Sequence, residues 1–177
     1  MKQIALSKGK FAQVDDELFD FLNQWKWHYA AVGYAARREF FNGKPGKIKY
    51  MHHEIMGKHK GKYVDHISGD KLDNQKHNLR VVSPTQSLWN IGKQKNSVTP
   101  YKGVYYDRRK RNRPWNARIT YYGKKIWIGS FPTVRLAGLA YDLNAYALFG
   151  EYARLNFSGA IVGMSVDASS SNHLSVN

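Results

Sequence analysis

The segment Val64-Asp65-His66-Ile67-Ser68-Gly69-Asp70, followed by Leu72-Asp73-Asn74 and Asn78-Leu79-Arg80, gathers a carboxylate, an imidazole and several amides in a short length of chain. Each of these groups has a use in metal-assisted hydrolysis of a phosphodiester. Asp65 offers the oxygen ligand that a hard divalent cation prefers, and such a cation stabilises charge on the scissile phosphate and the leaving oxygen. His66 is the natural general base, because neutral imidazole titrates near ~6.5 and takes a proton from water at neutral pH. Taken alone, the dipeptide says little: an aspartate in a turn beside a half-buried histidine is the commoner meaning of Asp-His. Adjacent strand residues also point to opposite faces, so the pair needs a turn or bulge to serve one substrate. His52, His53, His59, His66 and His77 raise structural zinc as a second metal reading. The chain has no cysteine and no second pair at ligand spacing, which argues against it.

The elements around these residues point to an α+β chain. Gly9 to Val14 reads as a strand, and Asp15, Asp16 and Glu17 open a helix carrying Leu18, Phe21 and Leu22, the acids lying where the helix dipole favours them. Trp25, Trp27 and Tyr29 alternate with Lys26 and His28 as a strand, Gly33 to Phe41 gives its hairpin partner, and Gly43-Lys44-Pro45-Gly46 is turn chemistry. Ile48 to Met51 is a further strand, leading into His52, His53 and Glu54. The polar, basic stretch from Gly92 to Pro100 reads as a linker. After it, Lys102 to Tyr106, Trp115 to Tyr121 and Lys125 to Phe131 form an antiparallel meander. Thr133 caps a helix that runs to about Phe149 and stops at Gly150, with Leu136, Ala140, Leu143 and Ala147 as its packing stripe. Residues 158–177 are small and polar and read as a disordered tail.

Charge narrows the partner. Lys and Arg number 28 against 13 acids, a net +15, which is the footprint of a polyanion binder. Nine of these bases (Lys102, Arg108, Arg109, Lys110, Arg111, Arg113, Arg118, Lys124, Lys125) lie between Tyr101 and Lys125 against the single acid Asp107, interleaved with aromatics. No apolar run is long enough for a spanning helix and no secretory leader follows Met1. The expectation is a cytoplasmic, nucleoid-associated protein of a bacterial or phage-infected cell, not secreted, with duplex DNA as partner, no membrane, no organic cofactor, and a monomeric state.

Two resemblances sharpen this. Met51-His52-His53-Glu54, Val64-Asp65-His66-Ile67-Ser68-Gly69-Asp70-Lys71-Leu72-Asp73-Asn74 and Asn78-Leu79-Arg80-Val81-Val82 resemble an HNH endonuclease of the phage and intron-encoded homing type, over residues 48–90. Leu6 to Lys10, Val14 to Glu17 and Trp25-Lys26-Trp27 resemble the extension that precedes that core in phage proteins. The resemblance implies a hairpin and helix (ββα) around one divalent metal, magnesium with manganese as substitute. It implies Asp65 as metal ligand, His66 as general base, Asn78 as a structural amide and Asn74 as a loop brace, with His52 also structural. A third site member, Asn or His, is usual directly after a glutamine on the final helix; here that position, after Gln86, is Ser87. Asn90 lies three residues on, on a similar helical face, so the metal set is Asp65 with Ser87 or Asn90, and the catalytic set is His66, Asp65 and Asn90.

Tyr101-Lys102-Gly103-Val104, Trp115-Asn116-Ala117-Arg118-Ile119, Trp127-Ile128-Gly129-Ser130-Phe131, Ala140-Tyr141-Asp142 and Leu155-Asn156-Phe157 resemble the plant APETALA-two/ethylene-response-factor DNA-binding domain. That family implies a three-stranded sheet packed on one helix, the sheet lying in the major groove. Lys102, Tyr105, Arg118, Thr120, Lys125 and Trp127 fall at its DNA-contact positions. Tyr105 stands where arginine is usual and Arg118 where glutamate is usual, so the target sequence differs from the plant one. The loop from Arg108 to Arg113, with Arg109 and Lys110 in it, is expected to grip phosphates, and Trp127 has the alternative of a core aromatic. The organisation expected is a nuclease domain at 1–91 (core 48–91), a linker at 92–100, a DNA-binding domain at 101–157 and the tail. The function expected is a metal-dependent, site-directed DNA endonuclease; the alternative is a DNA-binding regulator whose turnover is weakened or lost through Ser87.

Overall fold

The computed structural model describes residues 1–94 and 96–157, so the expected tail at 158–177 lies outside the described residues. The described residues divide into two compact units, Met1–Gly92 together with Phe149–Arg154, and Lys93–Leu148 together with residues 155–157. No described helix is long and apolar enough to cross a membrane.

The first unit is α+β. Strands β1 (Lys2–Ala5) and β2 (Phe11–Val14) pair antiparallel around a short 3-10 turn, Ser7–Gly9, and helix α1 (Asp16–Asn23) follows with Asp16 and Glu17 in its first turn. The strand expected from Gly9 therefore begins at Phe11. Ile4, Leu6, Ala12, Val14, Leu22, Trp27, Ala35 and Met51 form the core. Trp25 and Trp27 do not join a strand. Trp27 is buried and its indole N–H donates to the Leu22 carbonyl (2.8 Å), which holds the chain in a bend until β3 (His28–Tyr29). Strand β3 pairs with β4 (Ala35–Phe41), and β4 pairs with β5 (Lys44–Tyr50).

The β4–β5 turn lies earlier than the Gly43-Lys44-Pro45-Gly46 stretch suggests. Asn42 and Gly43 have φ of 49° and 74°, the two-residue geometry that suits right-twisted hairpins and favours Asn-Gly. Pro45 consequently sits in β5, an edge strand, beside an irregularity in the register, where its missing N–H is tolerated. Met51 is the first residue of helix α2 (Met51–Met56), not the end of a strand, and it is fully buried in the core.

Strands β6 (Tyr63–His66) and β7 (Leu79–Val82) then pair antiparallel, with Asp65 opposite Arg80 and His66 opposite Leu79. Helix α3 (Pro84–Trp89) follows at once. Ser83 caps it in a reciprocal capping box with Gln86, and Pro84 occupies the first turn, where its missing N–H costs nothing. Hairpin and helix together form the ββα unit.

The second unit is a meander of β8 (Val104–Tyr106), β9 (Trp115–Tyr121) and β10 (Lys124–Phe131), in the order β10-β9-β8, with helix α4 (Val134–Phe149) after it. Thr133 accepts the Leu136 N–H (3.2 Å) as its cap, and Gly150 has φ of 55° beyond its end. The buried stripe of α4 is Ala137, Tyr141 and Ala145 with Asp142 beside them, whereas Leu136, Leu143 and Ala147 are exposed. The packing register is therefore rotated by one residue from the expected Leu136-Ala140-Leu143-Ala147 stripe. The physical reason is Gly103: a Cβ there would lie 2.1 Å from the Tyr141 ring and 2.7 Å from the Arg118 carbonyl. Helix and strand approach so closely that small residues and one flat ring line the contact. Buried Asp142 accepts the backbone N–H groups of Asn156 and Phe157, and Asn156 accepts from the Lys102 N–H, closing the unit. The expected linker is also shorter than 92–100, because buried Thr99 donates to the Val104 carbonyl (2.8 Å) within this unit.

Candidate functional site

In the first unit the end of β6, the start of β7 and the end of α3 bring Asp65, His66 and Asn90 together. Asn90 caps the C-terminus of α3 and is buried. Its Nδ2 donates to Asp65 Oδ2 (2.9 Å) and to the His66 carbonyl (2.8 Å). Both amide hydrogens are spent in this way, and the Oδ1 is left as the acceptor end. Arg80, facing Asp65 across the hairpin, places Nη2 at 3.3 Å from the same Oδ2. The Ser87 backbone N–H continues the helix toward the Ser83 carbonyl (3.0 Å), and it is Asn90 whose side chain reaches Asp65.

His66 closes β6 and turns its ring inward, 3% exposed. Its Nε2 lies 3.4 Å from Asn74 Oδ1. The amide orientation of Asn74 is fixed by its Nδ2 donating to the Leu72 carbonyl (3.1 Å), and its backbone N–H is tied to the Gln13 carbonyl (2.8 Å). Asn74 therefore accepts, His66 Nε2 carries the proton, and Nδ1 holds the lone pair of the neutral ring. Asn74 thus orients the imidazole, beyond bracing the loop. Burial holds His66 below the ordinary imidazole range, against the opposite pull of Asn74 and of Asp65, Asp70 and Asp73.

Asn78 braces the loop: its Oδ1 accepts the Ser68 N–H and its Nδ2 donates to the Asp73 carbonyl, both at 2.8 Å. His52 is buried, stacks on Tyr50 (5.6 Å) and meets His66 edge-on (5.1 Å). Burial, aided by His53 and His66, pushes it down to about 3, so it is neutral at pH 7. Arg80 and Tyr34, whose ring lies 5.6 Å from His66, are the neighbours that the sequence pattern leaves unassigned. The β6–β7 register is the feature that would have pointed to Arg80. Among the described residues no three His, Asp or Glu side chains gather at metal-holding positions. The available donor set is the Asp65 carboxylate with the Asn90 amide oxygen.

In the second unit, Arg118 pairs with Trp127 and Thr120 with Lys125 across β9 and β10, while Asn116 pairs with Tyr105 on β8. Period-two alternation puts these side chains on the sheet face opposite Val104, Ala117 and Ile119, which are buried. Arg118 is exposed with its guanidinium 4.9 Å from the Tyr105 ring, and Trp127 is 60% exposed, which removes the alternative that it is a core aromatic. Arg109 pairs with Asp107 and Arg108 is exposed in the loop. Lys110 differs from expectation: its Nζ folds back onto Asn116 Oδ1 (3.1 Å) and Ser130 Oγ (2.7 Å), so it belongs to the sheet face and not to a free phosphate-gripping loop.

Comparison with known proteins places these features in context. The chain is 32% identical over 154 residues, 84% of its own length and 76% of the relative's, to an uncharacterized HNH endonuclease of Acanthamoeba polyphaga mimivirus. It is 30% identical over 95 residues, 54% of this chain and 76% of the relative, to protein 3.8 of Escherichia phage T7. Its C-terminal part is similar to plant transcription factors, among them an ethylene-responsive transcription factor of Arabidopsis thaliana, at 37% identity over 73 residues, 40% of this chain and 39% of the relative. No family model and no solved structure matches the chain.

Proposed function

This chain belongs to the HNH endonuclease family, and on that premise we propose that it is a metal-dependent, site-directed DNA endonuclease of the homing type. The first unit cuts and the sheet of the second selects the duplex site. The observation that carries the reading is the double hydrogen bond of Asn90 to Asp65 and to the His66 carbonyl, which ties the amide to the carboxylate and to the backbone that carries the imidazole at one end of the hairpin. That donor set fits magnesium, or manganese in its place, because such a cation takes one or two protein oxygens and fills its shell with water and substrate phosphate. Asp65 and the Asn90 Oδ1 would hold it, and it would supply charge stabilisation at the scissile phosphate. His66 takes the proton of the attacking water at Nδ1, Asn74 keeps the ring in that tautomer, and Asn78 holds the loop between them. The regulator alternative rests on Ser87 and expects duplex binding without cutting.

The test is purified protein with magnesium on a supercoiled plasmid library of random inserts. Nicking or linearisation of a subset of plasmids, abolished by EDTA and by Asp65→Ala, is the expected result. Wild type that cuts none with magnesium or manganese overturns the reading in favour of a non-cutting DNA binder.

The sheet face yields a second expectation. Arg118 can read guanine bidentately, at roughly 1–3 kcal/mol of discrimination, so Arg118→Ala is expected to relax sequence preference in a binding-site selection. Arg108→Ala, in the exposed loop, is expected to weaken binding to all sequences alike and to flatten its salt dependence. Equal changes in preference from both variants would refute this division of labour.

A further inference from the structure

The short stretch Phe149–Arg154 reads in the sequence as the end of the DNA-binding domain, yet it is part of the first unit. There it touches each of the three segments that present the candidate site. Phe149 stacks on Trp89, the neighbour of Asn90, with ring centroids 4.8 Å apart and planes 17° from parallel. The Arg154 N–H donates to the Trp89 carbonyl (3.3 Å), and its guanidinium donates to the Ser68 carbonyl in the loop that follows His66. The third contact is to Arg80. Its Nη1 donates to the Glu151 carbonyl (2.8 Å), and the Tyr152 ring lies 4.7 Å from its guanidinium carbon.

Arg80 is what connects this stretch to Asp65. Its side chain is 12% exposed and that of Asp65 16%. A guanidinium held at one Nη by a fixed carbonyl and against a ring presents its other Nη in a set direction, because the fork is planar and rigid. That second nitrogen meets Asp65 Oδ2, the oxygen that also accepts from Asn90. With two donors on Oδ2, the carboxylate is oriented and Oδ1 is the oxygen left to ligate. Arg80 Nε is buried without a partner, a cost that the side chain bears while reaching both contacts.

We propose that Phe149–Arg154 is a clasp of the nuclease unit that acts through Arg80, a positioning residue, to hold Asp65 in its metal-ligating orientation. The proposal rests on the metal-dependent reading above. It assigns a role in cation binding to residues about seventy positions beyond Arg80 in the chain, in a stretch that resembles part of a DNA-reading domain.

The test uses the full chain and keeps the charge of Arg80, so that loss of orientation is separated from loss of electrostatic competition with the cation. Manganese binding is followed by electron paramagnetic resonance of the free ion, without DNA, beside magnesium titrations of cutting. Tyr152→Ala and Arg80→Lys are each expected to weaken manganese binding about 10- to 100-fold, as removal of outer partners of a ligand does. Tyr152→Phe, which retains the ring face, is expected to restore it. In cutting, the half-saturating magnesium concentration should rise more than the maximal rate falls, and duplex binding without metal should stay unchanged. If Tyr152→Ala lowers the melting temperature enough to cloud its titration, Arg80→Lys decides. Variants that bind manganese as tightly as wild type, or more tightly, overturn the clasp while leaving the nuclease reading intact. Wild type that neither binds manganese nor cuts removes both.

Discussion

Replacing His66 with alanine is expected to slow DNA cutting roughly 10²- to 10⁴-fold, the range that a positioned general base contributes, while leaving duplex binding at the wild-type level. The expectation follows from where the ring sits. It is buried, its Nε2 proton is committed to Asn74, and its remaining lone pair is the basic group at the end of β6. Burial also lowers its proton affinity, which keeps the base form populated through neutral pH. The rate should therefore fall only as the pH drops through a value below the ordinary ~6.5 of imidazole. The same shift has a stability consequence of known sign. A histidine held neutral by folding is protonated first in the unfolded chain, so its contribution is fully present above ~6.5 and is lost as pH falls. For His52 the window reaches down to about 3. Measuring rate and melting temperature across this range separates the two effects. Cutting by His66→Ala at the wild-type rate would remove His66 from the chemistry.

Much of the fold is legible in the sequence where one local rule dominates. The three strands of the second unit follow from alternation and its helix from Thr133 and Gly150. Legibility fails where two rules compete. Gly43-Lys44-Pro45-Gly46 carries more turn residues than Asn42-Gly43, but the twist of the flanking strands selects the pair that accepts two positive φ values. Trp25 and Trp27 alternate like strand residues, and the Trp27 bond to Leu22 draws them into a bend. On α4 the largest apolar residues suggested the wrong stripe, because the close approach at Gly103 favours alanines and Tyr141 over leucines. In the site, Asp65, His66 and Asn78 are recognisable through the resemblance to the HNH family that the surrounding residues carry. Arg80 is not, since its importance depends on strand register and on a carbonyl far along the chain. Lys110 likewise reads as one base of a cluster until Asn116 and Ser130 are brought beneath it.

The choice between Ser87 and Asn90 is the point at which a sequence motif and a geometry disagree, and it gives the second large effect. Asn90→Ala is expected to reduce cutting on the order of 10²-fold, whereas Ser87→Ala is expected to leave it unchanged. Removing the Asn90 amide withdraws the donor from Asp65 Oδ2 and from the His66 carbonyl, and it removes the Oδ1 proposed to ligate the cation. Each lost hydrogen bond costs about 0.5–1.5 kcal/mol of stability, with Arg80 still donating to Asp65 Oδ2 and the Gly69 N–H to the His66 carbonyl, so the melting temperature of Asn90→Ala should fall modestly as well. Assaying well below that temperature, with manganese binding measured in parallel, separates a lost ligand from a loosened fold. Ser87→Asn supplies the reciprocal measurement. If it raises activity while Asn90→Ala is silent, the ligand belongs at position 87, and the double hydrogen bond of Asn90 is only a helix C-cap that ties α3 to β6.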